Sequence, residues 1–119
     1  MSSLHSTVVL VVEDEPLLLM NAAAILEDAG CIVLEAASAD AAIAIIEGRA
    51  DIDVVFTDIE MPGSMDGMRL ARAIRDRWPP IKLIVTSGRV SVSEGDLPEG
   101  VPFFAKPYQE RQLIDAVLA

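Results

Sequence analysis

The sequence predicts an α/β fold, a doubly wound, five-stranded parallel sheet with helices on both faces. Three observations predict it. Short apolar runs alternate along the chain with longer helical segments. Several of those runs are solidly β-branched or aliphatic, with no polar alternation, as strands buried on both faces require. The chain has 119 residues, 52% hydrophobic and 24% charged, which suits one core and not two.

The elements follow in order. Thr7 to Val12 reads as the first strand. Pro16 stands where a first helical residue would, and Leu17 to Ala29 reads as a helix stopped by Gly30. Cys31 to Glu35 is a second strand. Ser38 can cap a helix over Ala39–Glu47, ended by Gly48. Asp53 to Thr57 is a third strand. Asp66 can cap a helix through Met68–Arg77, ended by Trp78-Pro79-Pro80. Ile81 to Val85 and Val101 to Phe104 are the fourth and fifth strands, and Tyr108 to Leu118 is a last helix. Strand–helix alternation of this kind gives a parallel sheet. Between Thr86 and Val101 the alternation asks for one more helix. Three glycines, a proline, serines and valines make that stretch a poor one, so a turn or two between Ser91 and Leu97 is expected. Residues 1–6 are expected to be a flexible tail on a single domain spanning 1–119.

Composition narrows the function. The longest stretch without a charged side chain, Met1 to Val12, is well short of the ~20 apolar residues of a membrane helix. No basic residue precedes an apolar run at the N-terminus, which argues against a secretory signal. Cys31 is alone, so no internal disulfide forms, in keeping with a cytoplasmic protein. The formal charge of −10 opposes direct binding to nucleic acid. It suits a protein that meets other proteins, or one that binds cations where its acids converge.

Parallel sheets bind ligands at the carboxyl ends of their strands. The first strand ends in Glu13-Asp14-Glu15, the third in Asp58, the fourth in Thr86-Ser87-Gly88 and the fifth in Lys106-Pro107. Glu13, Asp14 and Asp58 would therefore share a cleft with a hydroxyl and a lysine. Three close carboxylates repel one another unless one is protonated or a cation binds. Oxygen ligands without His or Cys select a hard ion, Mg2+ before Zn2+. A carboxylate beside Mg2+, an ammonium and a hydroxyl is equipped for in-line phosphoryl transfer, with the carboxylate as nucleophile.

The motifs Val-Val-Glu-Asp-Glu-Pro, Phe-Thr-Asp58-Ile-Glu-Met-Pro with Met-Asp-Gly after it, Val-Thr86-Ser-Gly and Phe-Phe-Ala-Lys106-Pro resemble those of the receiver domain of bacterial two-component response regulators. The resemblance runs from Thr7 to Leu118. It implies the flavodoxin-like, CheY-like (βα)5 fold, with a short or degenerate fourth helix here. It implies that Asp58 accepts a phosphoryl group from a histidine kinase or a histidine phosphotransfer protein, and that the resulting change regulates a downstream protein target. Asp14, Asp58 and the backbone carbonyl of Glu60 would ligate Mg2+, with Glu13 acting through a water. Lys106 would grip the phosphoryl oxygen, Thr86 would swing toward it, and Phe103 holds the switch-aromatic position. The Lys106-Pro107 peptide would be cis. Such a domain assists only its own phosphorylation and dephosphorylation and is no enzyme in the ordinary sense. A pseudo-receiver that binds protein without taking phosphate, and the amino-terminal receiver of a longer regulator, are the alternative readings.

This sequence departs from the common pattern in places. Met-Pro-Gly-Ser-Met-Asp-Gly is one residue longer than usual, through Gly63-Ser64. Glu60 puts a carboxylate where it can face the phosphoryl group, either repelling its oxygens or steering a hydrolytic water. Ser87 stands where a smaller Gly or Ala is common, and is expected to narrow access. The weak segment after Thr86 puts in doubt the usual output face, which that helix shares with the fifth strand and last helix.

Other residues have plainer uses. Asp51-Ile52-Asp53 has the paired aspartates of haloacid-dehalogenase-type phosphatases, but before its strand instead of after it, so a turn is expected. A flavodoxin phosphate loop is excluded by Glu13-Asp14-Glu15, which would repel a phosphate. Cys31 is expected to be buried, His5 to lie in the tail, and Trp78 to cover the end of its helix. Arg69, Arg72, Arg75 and Arg77 are expected on a solvated face. In the first helix Leu18, Ala22, Ile25 and Ala29 form the expected core stripe. Met20, Ala23 and Ala24 should face outward, as an apolar docking surface beside the cleft.

Overall fold

The computed structural model describes residues 6–61, 66–88 and 97–119. Five strands form one parallel sheet in the order β2-β1-β3-β4-β5. They are β1 (Val8–Val12), β2 (Ile32–Ala36), β3 (Val54–Asp58), β4 (Lys82–Ser87) and β5 (Phe103–Ala105). Four described helices connect or follow them: α1 (Pro16–Asp28), α2 (Ala39–Glu47), α3 (Gly67–Arg77) and α4 (Glu110–Leu118).

The predicted architecture is the one found, and alternation along the strands explains how the sheet is sandwiched. Val8, Leu10 and Val12 of β1 face α2 and α3, packing with Ala42, Ile46, Leu70 and Ile74. Val9 and Val11 face the other way, with Ala22, Ile25 and Leu26 of α1 and Leu113 and Val117 of α4. All five β1 residues are therefore buried, which is why the run carries no polar position.

Local sequence sets the helix starts. Pro16 is the first residue of α1, and the Glu15 side chain accepts the Leu17 N–H at 2.9 Å. Ser38 Oγ accepts the Ala41 N–H at 3.1 Å, and Asp66 Oδ1 accepts the Arg69 N–H at 2.9 Å, so both expected caps are present.

Strand boundaries differ from expectation in a consistent direction. Except for the first, whose end is as expected, the strands run one or two residues further toward their carboxyl ends than the apolar runs do. The β3–β4 ladder pairs Asp58 with Thr86, and the β4–β5 ladder pairs Ser87 with Ala105. Backbone pairing does not depend on side-chain polarity, so in β3 and β4 it continues through Asp58, Thr86 and Ser87. At the other edge Asp53 lies outside β3, and its Oδ2 accepts the Val8 N–H at 2.8 Å. Asp51–Asp53, expected as a turn, is an irregular segment whose last residue ties the start of β3 to β1. Tyr108 precedes α4, its ring edge-on to Phe56 with centroids 5.5 Å apart.

The rotation of α1 differs from the expected one. Ala22, Ala23, Ile25 and Leu26 are its buried residues. Ala23, expected outside, is inside, and Leu18, expected inside, is 42% exposed. No charge occurs between Leu17 and Leu26, and a single polar residue, the exposed Asn21, marks the solvent side there, so packing on β2 and α4 sets the rotation. Leu17 and Met20 are exposed, as an apolar outer face requires. Residues 1–5, the longer loop at 62–65 and the weak segment at 89–96 lie outside the described residues, so the expectations made for them are not met or missed here.

Cys31 is buried, and burial pushes its thiol up from the ordinary value. Trp78 ends α3, packs against the core and lies under the Arg77 guanidinium, 4.3 Å from the ring centroid. The arginine face of α3 is not simply solvated. Arg77 pairs with Glu47 at 2.8 Å, and Arg75 Nη1 donates to the Glu99 carbonyl at 3.0 Å.

Candidate phosphoacceptor site

The site lies at the carboxyl edge of the sheet, where β1 and β3 adjoin and the chain leaves in opposite directions. In sheets of this order that is the crevice where ligands bind. β1 delivers Glu13 and Asp14, β3 delivers Asp58, β4 delivers Thr86 and the β5–α4 loop delivers Lys106. Glu13, Asp58 and Thr86 are buried and Asp14 is exposed.

Lys106 ties the cluster together. Its Nζ stands 2.9 Å from Glu13 Oε1 and 3.0 Å from Asp58 Oδ2. Burial works against the ammonium, but the hydrogen bonds to Glu13 and Asp58 and their charges outweigh it, so the Lys106 pKa is raised. Burial pushes the Glu13 carboxyl up, and the Asp58 charge adds to this. The hydrogen bonds from Lys106 and the Glu15 N–H oppose the rise without cancelling it. Asp58 Oδ1 accepts the Glu60 N–H at 3.3 Å. The Lys106-Pro107 peptide is cis, as expected.

Glu13, Asp14 and Asp58 can each place one carboxylate oxygen within 4.8 Å of the others. A donor set of carboxylate oxygens alone fits a hard divalent cation such as Mg2+. The exposed Asp14 leaves a side open to water, which suits an ion that keeps part of its hydration shell.

Thr86 is close at hand but turned away. Its hydroxyl donates to the Phe104 carbonyl at 2.7 Å, on the β5 side of β4. Phe103 is half-buried and packs against the α2–α3 side of the core. Glu60 does not point freely at the site: one carboxylate oxygen accepts the Ser87 hydroxyl and the other the Gly88 N–H at 3.1 Å. Ser87, expected to narrow access, is 2% exposed and spends its hydroxyl on Glu60.

Gly67 was legible only as a letter of the Met-Asp-Gly motif. A Cβ there would lie 1.9 Å from the Asp58 carbonyl oxygen. Its N–H donates to the Ile59 carbonyl at 3.0 Å, so the start of α3 is clamped against the backbone of Asp58 and Ile59. Only glycine permits that approach.

A parallel sheet of this order, with three acids and a lysine at its carboxyl edge, defines a receiver-type signalling module. The sequence pattern of the response regulator receiver domain matches residues 9–118, and the chain belongs to that family, whose members serve two-component systems. Mg2+ and aspartyl phosphate are consistent with the family. The chain is 36% identical to the sensor kinase CckA of Brucella abortus over 119 residues, 94% of this chain and 12% of that protein. It is 32% identical to the nitrogen assimilation regulatory protein NtrX of Azorhizobium caulinodans, over 89% of this chain and 24% of that one. The chain thus spans a quarter or less of these two relatives. Among solved structures it resembles a response regulator receiver protein from Sinorhizobium medicae, with a TM-score of 0.89, 32% identity, and 98% and 94% of the two chains covered.

Proposed function

We propose that this domain is a phosphoacceptor switch in which Asp58 takes a phosphoryl group from the phosphohistidine of a histidine kinase or histidine phosphotransfer protein. The observation that carries the reading is the Lys106 ammonium lying between Glu13 and Asp58 in an otherwise acidic cleft. An Asp58 oxygen attacks phosphorus, the bond from phosphorus to the histidine nitrogen breaks, and the imidazole leaves with the electron pair. Lys106 holds the acceptor carboxylate in place and then meets the new negative charge on the phosphoryl oxygens. Asp14, Asp58 and the Glu60 carbonyl would hold Mg2+, with Glu13 acting through water. When bound, the ion supplies positive charge against the phosphoryl oxygens.

The signal leaves the site through Thr86. Its hydroxyl exchanges the Phe104 carbonyl for a phosphoryl oxygen, a stronger, charge-assisted partner. The space it leaves admits Phe103. A downstream protein target reads the change. The donor docks on the outer side of α1, where Leu17 and Met20 are exposed beside a groove of about 460 Å3 lined by Leu18, Asn21, Ile25, Pro107 and Tyr108. The domain turns over no external substrate and works in the cytoplasm, without contact with nucleic acid. No described helix is long and apolar enough to cross a membrane.

Incubation with acetyl phosphate and Mg2+, followed by intact-mass measurement, tests the reading. The wild-type chain gains one phosphoryl group and Asp58→Asn gains none. Uptake by Asp58→Asn at the wild-type rate defeats the assignment. A wild-type chain that takes up nothing makes the domain a pseudo-receiver.

A further inference from the structure

Glu60 is the one acid at this edge that the phosphoryl-transfer reading uses only through its backbone. Its side chain crosses from the end of β3 to the end of β4. One oxygen accepts the Ser87 hydroxyl and the other accepts the Gly88 N–H at 3.1 Å. Both donors lie immediately after Thr86. The same stretch is held from the opposite side, where the Lys106 N–H donates to the Ser87 carbonyl at 2.9 Å and the Thr86 hydroxyl to the Phe104 carbonyl at 2.7 Å. Glu60 therefore acts as an internal anion seated on the donors at the end of β4.

We propose that the Glu60 carboxylate is a latch that pins Ser87 and Gly88 while Asp58 is unmodified and releases them when Asp58 carries a phosphoryl group. The inference rests on the reading of Asp58 as acceptor and adds a positioning residue to it. Thr86 directly precedes the two residues that Glu60 holds, so the latch and the turn of Thr86 toward Asp58 act on one stretch of backbone. Glu60 is in turn rooted at the acceptor, since its own N–H donates to Asp58 Oδ1 at 3.3 Å. A phosphoryl group adds roughly one to two negative charges at Asp58. That charge repels the Glu60 carboxylate and competes with it for donors at the β4 end. The two anions then cannot both hold the β4 end, and the latch opens in the same step that attracts Thr86. Ser87, in place of a smaller residue, has a reason to be there: its hydroxyl supplies half of the latch.

Amide exchange at Gly88, followed by NMR on the whole chain with and without beryllofluoride and Mg2+, tests this. The wild-type Gly88 amide is protected in the unmodified protein and loses about tenfold in protection when beryllofluoride binds at Asp58. Glu60→Ala starts unprotected and takes phosphoryl from acetyl phosphate several-fold faster, because no latch opposes the change. Glu60→Gln keeps an acceptor but not the charge, so it retains protection in the unmodified state and loses less on beryllofluoride. Ser87→Ala, with its half of the latch gone, shifts the same way as Glu60→Ala and by less. Gly88 exchange in Glu60→Ala equal to wild type, or wild-type protection unchanged by bound beryllofluoride, overturns the latch. A wild-type chain that binds no beryllofluoride overturns the acceptor reading and the release step with it. Exchange in the unmodified variants then still decides whether Glu60 pins the β4 end.

Discussion

Lys106 Nζ lies 3.0 Å from Asp58 Oδ2, two residues from opposite halves of the chain joined in a cleft where each is largely shielded from water. Lys106 also holds Glu13 at 2.9 Å, so a single cation offsets two buried carboxylates. Lys106→Met leaves both without their ammonium. It is expected to lower stability by about 1–3 kcal/mol, below the full cost of breaking a buried pair because the site is partly open. Added Mg2+ should restore more stability to this variant than to wild type, since the ion replaces the missing charge. Thermal melts with and without Mg2+ check this, and an unchanged midpoint in Lys106→Met contradicts it.

Asp14 is exposed and should matter to the cation far more than to the fold. Asp14→Ala is expected to leave stability within about 0.5 kcal/mol of wild type, as for an ordinary surface substitution. Its Mg2+ affinity should fall at least tenfold, read by calorimetry. Undiminished affinity removes Asp14 from the metal site.

Gly67→Ala forces a Cβ into the Asp58 carbonyl, 1.9 Å away, where backbone and not a flexible side chain must yield. A loss of about 2 kcal/mol or more is expected in urea unfolding, with slower phosphoryl uptake because the acceptor strand is displaced. A variant as stable as wild type would mean that α3 starts elsewhere in solution.

Alkaline pH should weaken the fold through two groups. The Lys106 pKa is raised above its ordinary 10.5 and the Tyr108 pKa above its ordinary 10.0. Burial raises Tyr108, while at Lys106 the carboxylate partners overcome burial. Both groups hold their protons longer folded than unfolded, so stability is lost as pH rises from those ordinary values through the raised ones. Tyr108→Phe, which lacks the second contribution, should decline less steeply above about pH 10 in urea midpoints. Parallel curves for the two proteins contradict the assignment.

Docking on α1 predicts a split between donors. Met20→Glu or Leu17→Glu places a charge on an exposed apolar position, so stability and uptake from acetyl phosphate should stay near wild type. Transfer from a phosphorylated histidine kinase that serves this domain should fall tenfold or more, read by gel phosphotransfer assay. Equal losses with both donors would place the defect at Asp58 and not at a docking face.

The fold class and the members of the candidate site are readable from the pattern of residues alone. The solid run Thr7–Val12 has the pattern of a strand covered on both faces, and the acids and lysine stand at the ends of such runs. In a parallel sheet the ends of all strands share one edge, so position along the chain became position in space without knowing any side-chain contact. Which partners those groups take depends on how the elements pack. Glu60 reaches Ser87 and Gly88, 27 and 28 residues away, because β3 and β4 are neighbours in register. Gly67 meets the Asp58 backbone because the path of α3 brings it there. The buried face of α1 follows from packing, since Asn21 is the one polar residue in its uncharged stretch and a single position does not fix the rotation. Local pattern encodes elements and their ends, whereas contacts between side chains far apart in sequence are set only once register and helix rotation are fixed.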